Sequence, residues 1–153
     1  MDNKVLRNLS YGVYVVTTKD NDKNVGCIAN SIMQVTSNPS VVAVSINHDN
    51  YTNKCIKENN TFAVSILTEN SNPKIIGEFG FKSSKDTNKF EGIDYKVEDH
   101  IPIINDSCGY FICKVINTRL RKVKVKFFSL NLYITPKFSR IHFYIKVFNV
   151  FIS

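Results

Sequence analysis

Short β-forming runs, separated by turn residues and never alternating regularly with helices, constrain this chain more than any other feature. Residues 13–18, 41–47, 61–67, 93–97, 101–104 and 108–116 are each dense in Val, Ile, Phe, Tyr or Thr, the side chains that fit a pleated, half-buried surface. The run 41–47 is almost continuously apolar and reads as a strand buried on both faces, whereas 93–97 alternates with a period of two. The polar stretch 19–24 joins the first run to a second strand as a hairpin, and Ser37-Asn38-Pro39-Ser40 makes a later turn. Helices are few and short. Asp2 can cap one that carries Val5, Leu6 and Leu9. Asn50 or Thr52 can cap a second through Cys55 and Ile56, ending at Asn59-Asn60. Asn72-Pro73 starts a third with Ile75, Ile76 and Phe79 on its apolar face and Gly80 as its stop, followed by a polar excursion over 81–89. Six or more strands with two or three short helices predict a mainly β fold, a closed or partly closed antiparallel barrel in place of a doubly wound sheet.

One strand is odd. Residues 24–36 begin and end as an ordinary β-run, but Ala29, Asn30 and Ser31 are small or polar where core-facing bulk is expected. A strand thinned in this way, with Gly26 nearby, lets something approach its backbone closely. A flat ligand with a polar edge would suit it. A half-exposed edge strand with polar residues facing water would give the same pattern, and is the commoner case.

The chain is long enough for one domain with a real core, at 153 residues, 43% hydrophobic and 22% charged. No apolar run is long enough to cross a bilayer, and Met1-Asp2-Asn3-Lys4 does not begin a secretory signal; the cytoplasm is the expected location. Cys27, Cys55, Cys108 and Cys113 form no C-x-x-C pair and read as structural thiols in a reducing compartment. The net charge of +7 is unevenly placed: residues 1–117 carry 12 Lys/Arg against 13 Asp/Glu, and residues 118–153 carry eight Lys/Arg and no acid.

Catalytic signatures are missing. There is no G-x-S-x-G, H-E-x-x-H, P-loop or dinucleotide-binding glycine fingerprint. His48, His100 and His142 each read as surface or core residues, so nothing supports a hydrolase. An anion seat is conceivable where the strand ending Ser45-Ile46-Asn47 runs into Asn50-Tyr51-Thr52 and a helix start. Ordinary helix caps are far commoner than phosphate seats.

Taken in order, Gly12-Val13-Tyr14-Val15-Val16-Thr17-Thr18, Gly26-Cys27-Ile28-Ala29-Asn30-Ser31, Ser37-Asn38-Pro39, Ser45-Ile46-Asn47 with Thr52, Phe62-Ala63-Val64-Ser65-Ile66-Leu67, Phe79-Gly80 and Lys89-Phe90 resemble the flavin reductase-like, FMN-binding split-barrel family, including the flavin module of the high-molecular-weight rubredoxin type. The resemblance covers residues 1–117. It implies a homodimeric, antiparallel, Greek-key-like split β-barrel holding FMN, or FAD, in a groove shared between subunits. By position, Ala29, Asn30, Ser31 and Ile32 would line the flavin ring. Ser45, Asn47 and Thr52 would lie near the ribityl chain and phosphate. Phe79, Gly80, Ser83 and Lys89 would close the phosphate end, Lys89 adding positive charge. It implies NAD(P)H as electron donor and a rubredoxin-type acceptor, with no membrane or nucleic-acid partner. Such a site needs no protein acid or base, because the flavin holds the electrons.

The tail departs from the family. Residues 118–153 contain no Asp, Glu, Gly, Ala, Gln or Cys. They read as divergent closing strands, since 122–127 alternates with period two; as a basic binding tail for nucleic acid or anionic lipid, which would make the protein a non-enzymatic binder; or as an out-of-frame extension of a truncated gene product. The abrupt change of composition favours the third reading, in which part of the barrel wall and the nicotinamide side are lost and 141–148 is an aggregation hazard.

Overall fold

The computed structural model describes residues 11–117 and the strand at 125–133. The expected helix at Asp2 with Val5, Leu6 and Leu9, the tail residues 118–124 and 134–153, and His142 lie outside the described residues. In chain order the elements are β1 (Tyr14–Asp20), β2 (Lys23–Ala29), β3 (Ile32–Ser37), β4 (Ser40–Ser45), α1 (Tyr51–Asn59), β5 (Thr61–Ile66), α2 (Pro73–Phe81), β6 (Tyr95–Glu98), β7 (Ile101–Ile104), β8 (Gly109–Asn117) and β9 (Val125–Tyr133).

Local chemistry places most of these. β1 and β2 form the expected hairpin, closed by Asp20 opposite Lys23 with Asn21 at a φ of 52°, a value that Asn tolerates better than most residues. Asn50, not Thr52, caps α1: its side chain accepts the Thr52 N–H at 2.9 Å. Asn60 in the left-handed conformation ends that helix, its N–H bonding the Ile56 carbonyl at 2.9 Å. Asn72 caps α2 by accepting the Lys74 N–H at 2.9 Å, with Pro73 in the first turn. Gly80 is not the stop. The helix continues to Phe81 and ends at Lys82 in extended conformation.

Seven strands form one antiparallel sheet in the order β2-β1-β5-β8-β9-β4-β3. β2 and β3 lie at opposite ends of that order, yet only Asn30 and Ser31 separate them. Laid flat, seven strands would span about 29 Å between the outer two. The two-residue link reaches at most about 11 Å. The sheet must therefore roll up until its edges meet, and the Ser45 N–H clamps the corner by donating to the Ser31 carbonyl at 2.9 Å. β2 and β3 do not pair with each other, so the barrel is split along that seam. The stretch 24–36, expected as one strand, is two strands meeting at this corner.

Alternate residues then face inward or outward. Val16, Cys27, Ala29, Val42, Val44, Phe62, Val64, Phe111 and Cys113 make the barrel core, and α1 adds Ile56. The outer face is covered twice. α2 packs Ile75 and Phe79 on Val15 with Phe90 and Ile104. The β6–β7 hairpin packs Ile101 and Ile103 on Ala63, Tyr110 and Ile112. Two layers outside explain why β5 is buried through its centre on both faces. Polar residues beneath these covers are partnered: the Thr17 hydroxyl donates to the Pro102 carbonyl, and Ser65 Oγ accepts the Ile104 N–H at 3.1 Å.

Candidate functional site

The Asn30–Ser31 corner opens a groove of about 330 Å³, lined by Tyr11, Gly12, Tyr14, Asn30, Ser31, Ile32, Met33, Ala43 and Ser45. Asn30, Ser31 and Ser45 are exposed, Ile32 is half-buried, and Ala29 lies beneath the corner in the barrel core. Ser31 Oγ donates to Asn30 Oδ1 at 3.1 Å. The main-chain bond from Ser45 to Ser31 ties the corner to the end of β4. The groove thus has a polar rim at the corner and an apolar bed from Met33 and Ala43. Among its described lining there is no carboxylate, imidazole or amine.

From Ser45 the chain turns through Asn47 into α1. Asn47 Oδ1 accepts the Asp49 N–H at 3.1 Å, and its carbonyl accepts the Asn50 N–H at 3.1 Å. The amide of Asn53 braces this turn, with Nδ2 donating to the carbonyls of Ile46 at 2.9 Å and Asn47 at 3.1 Å. Those two acceptors fix which end of the amide is nitrogen. Among the described residues, Asn53 Oδ1 is buried without a hydrogen-bond partner, and the buried Thr52 Oγ1 has the Cys27 thiol as its polar neighbour. Thr52 stands beside the Cys27 thiol, whose pKa burial pushes up to about 11 against a smaller opposing pull from Thr52 and Lys89. Orphaned buried polar atoms call for an explanation. Both atoms are sealed from solvent, so the partner that fits there is a small buried water, not a ligand group in the groove.

The remaining predicted residues lie on the far side of β2. Gly26 does accommodate a close approach, but the visitor is the protein's own Phe79: a Cβ at Gly26 would stand 2.9 Å from Phe79 Cε1 and 3.1 Å from Thr17 Cγ2. Lys89 is 2% exposed, and its ammonium donates to the carbonyls of Gly26 at 2.9 Å and Phe79 at 3.3 Å. Burial lowers its pKa. Ser84 accepts the Gly26 N–H at 3.1 Å and donates to the Gly26 carbonyl at 2.9 Å. The open edge of β2 is therefore saturated at Gly26 by the 82–89 loop, a common protection for an edge strand. Ser83 is exposed and its carbonyl accepts the Thr87 N–H at 3.1 Å. Gly80 is exposed, and a Cβ there would meet Ile28 at an ordinary 3.6 Å.

Asn30, Ser31, Ile32 and Ser45 thus come together in one groove, over Ala29. Asn47 and Thr52 follow in the β4–α1 turn and at the start of α1, outside the groove's lining. Phe79, Gly80, Ser83 and Lys89 sit behind β2. Sequence reasoning missed Tyr11, Gly12, Tyr14, Met33 and Ala43 as lining residues. The small Ala43 within a run of valines was the one available signal. Among the described residues, no group of three His, Cys, Asp or Glu is placed to hold a metal ion, and no helix is long and apolar enough to cross a membrane.

Comparison with known proteins follows the same architecture. The high molecular weight rubredoxin of Moorella thermoacetica is 42% identical over 107 residues, covering 69% of this chain and 47% of that protein. The ferric-chelate reductase (NAD(P)H) of Archaeoglobus fulgidus is 38% identical over 105 residues, covering 68% of this chain and 62% of that one. The chain thus spans less than two thirds of the length of either relative. Among solved structures, a nitrilotriacetate monooxygenase component B homologue from Mycobacterium thermoresistibile superposes with a TM-score of 0.78 at 25% identity, covering 88% of this chain and 75% of that one. The Streptomyces globisporus NADH:FAD oxidoreductase SgcE6, in complex with NAD and FAD fragments, shares the fold with a TM-score of 0.78 at 21% identity, covering 88% and 81%. The family profile described as "Flavin reductase like domain" matches residues 6–130, reaching into β9, and on that match the chain belongs to the flavin reductase-like domain family.

Proposed function

We propose that this chain binds FMN in the groove at the Asn30–Ser31 corner and works as a flavin oxidoreductase, either an NAD(P)H-dependent flavin reductase or an electron-transfer flavin module. The observation that carries this is the corner itself: a rolled sheet leaves a polar rim of Asn30, Ser31 and Ser45 beside an apolar bed. That donor set suits a planar ring with a polar edge and a hydroxylated side chain. The groove volume of about 330 Å³ lies near the lower end of the roughly 300–1,000 Å³ seen for small-molecule sites. When bound, a flavin supplies the two-electron chemistry. The chain orients the ring through Asn30, Ser31 and Ser45, and Ile32, Met33 and Ala43 exclude water from one side.

The second half of the proposal is a homodimer. β3 is the outer strand of the sheet order; on it Met33, 64% exposed, lines the groove and Val35 is exposed further along, while Tyr11 is exposed in the groove wall. A second copy laid on that edge would complete the groove wall. Cysteines read as structural thiols, with Cys27, Cys55 and Cys113 buried, suit the cytoplasm, and the name of the Moorella relative supports a rubredoxin-type acceptor as partner. The seat of β9 between β8 and β4 supports the closing-strand reading for residues 125–133; the nucleotide sequence tests the out-of-frame reading, which a continuation rich in Gly and acids in another frame would establish.

The functional test is an FMN titration of the full chain. Neutral hydrogen bonds from Asn30, Ser31 and Ser45, at about 0.5–1.5 kcal/mol each, with ring burial are expected to give an affinity of about micromolar or weaker. Flavin emission unchanged up to millimolar protein would sink the reading.

A further inference from the structure

Tyr14 opens β1, paired with Ala29 of β2 and Ile66 of β5. It is half-buried, packs against the barrel core, and lines the groove. Its ring does not stand straight out from the strand. It lies back across the chain at Gly12: a Cβ at that position would sit 2.4 Å from the phenol oxygen, 2.5 Å from Cζ and 2.8 Å from Cε2. Side chains two apart on an extended chain share a face, so the phenol fills the place that a residue-12 side chain would take. The bare backbone of Gly12 is what permits this pose.

We infer that Tyr14 is a ring-contacting, specificity-determining residue of the groove, and that Gly12 is its positioning residue. This rests on the flavin reading above. With its tip and one edge laid on Gly12, the phenol is held as an aromatic wall beside the Asn30–Ser31 rim. Such a wall favours a planar heteroaromatic ring in offset-stacked contact and discriminates against a non-planar ligand of equal polarity. The groove thereby selects for ring planarity at one end and for hydrogen-bonding groups at the other.

The test is FMN titration of the full-length chain and of Tyr14→Phe, Gly12→Ala and Tyr11→Phe, following both affinity and the emission of the bound flavin. A phenol stacked on an excited flavin quenches it by transient electron donation, which a phenyl ring does poorly. Tyr14→Phe is expected to bind FMN within about threefold of the parent, since the stacking surface is kept, while bound-flavin emission rises several-fold. A purely structural Tyr14 would not move that emission. In Gly12→Ala only the far end of a side chain must shift, so the fold survives. Emission rises as the ring is displaced, and affinity falls about tenfold as the stacked contact is lost. Unchanged quenching in Tyr14→Phe, or relief in Tyr11→Phe alone, overturns the role of Tyr14. Unchanged affinity and emission in Gly12→Ala overturns the pairing. If the parent chain itself binds no FMN, the flavin reading fails and this inference falls with it; binding by the parent with indifferent variants defeats this inference alone.

Discussion

Replacing Lys89 by Met tests how the 82–89 loop holds the site's supporting strand. The ammonium is buried and bridges two carbonyls, that of Gly26 on the open edge of β2 and that of Phe79 in the last turn of α2. The last four carbonyls of a helix have no intrahelical partner, so Phe79 depends on this bond. The Gly26 carbonyl keeps Ser84 as a second donor. A hydrogen bond from a charged donor contributes about 1.5–3 kcal/mol, and a stranded buried carbonyl costs about 1–3 kcal/mol. Set against these is the relief of a buried charge, whose cost shows in the lowered pKa of Lys89. Met keeps the stem's packing, so the net loss is expected near 2–4 kcal/mol, or roughly 6–12 °C in melting temperature for a domain of this size. The pH dependence has a definite sign. A lysine whose folded pKa lies below its unfolded value leaves the unfolded state binding more protons, so its contribution rises with pH between the folded value and 10.5 and is lost as pH falls through the folded value. The parent's stability relative to Lys89→Met should therefore grow on the alkaline side. Thermal unfolding of both proteins from pH 7 to 10.5 measures it. Equal melting temperatures at neutral pH, or a difference independent of pH, would refute the bracing role.

Four further outcomes follow from the packing and electrostatics. Gly26→Ala puts a methyl 2.9 Å from Phe79 Cε1 and should cost about 1–3 kcal/mol by overpacking, read by urea denaturation; a neutral result means that α2 is not seated tightly on β2. Tyr110→Phe removes the hydroxyl that donates to Glu98 at 2.8 and 3.0 Å and should cost about 1 kcal/mol. Glu98 is held below the usual carboxylate range, by Lys96 first and then by Tyr110. Its contribution is present above the unfolded carboxylate pKa and disappears as pH falls through the depressed folded value, so Glu98→Gln should flatten the acid limb of the stability profile. Burial raises the pKa of Cys113, of Cys27 to about 11, and of Cys55, so these thiols should react with a disulfide reagent only on unfolding; rapid modification of Cys27, Cys55 or Cys113 in native buffer would contradict the core as described.

Local chemistry was legible without coordinates. The caps at Asn50 and Asn72, the β1–β2 hairpin and the β-runs that became β4, β5, β7 and β8 each depend on neighbours a few residues away, and their signals lie in the same few residues. That Ala29, Asn30 and Ser31 interrupt a β-pattern was also plain, and so was the resemblance that named a fold. The interruption did not reveal what it was for. A thinned strand and a sharp corner between two strands look alike in one dimension, because the period of two continues on either side.

What the amino-acid sequence determined by itself, then, is the inventory: antiparallel strands, two capped helices and a polar break at Asn30–Ser31. Only the tertiary structure decided that β2 and β3 are the two edges of one rolled sheet, that Phe79 rather than a ligand fills the space over Gly26, that Lys89 points at carbonyls, and that Tyr14 folds over Gly12 to wall a groove. The reason is range. Caps and turns are satisfied within a few residues, whereas the occupant of a bare backbone site comes from wherever the chain returns, and sheet closure sets that return.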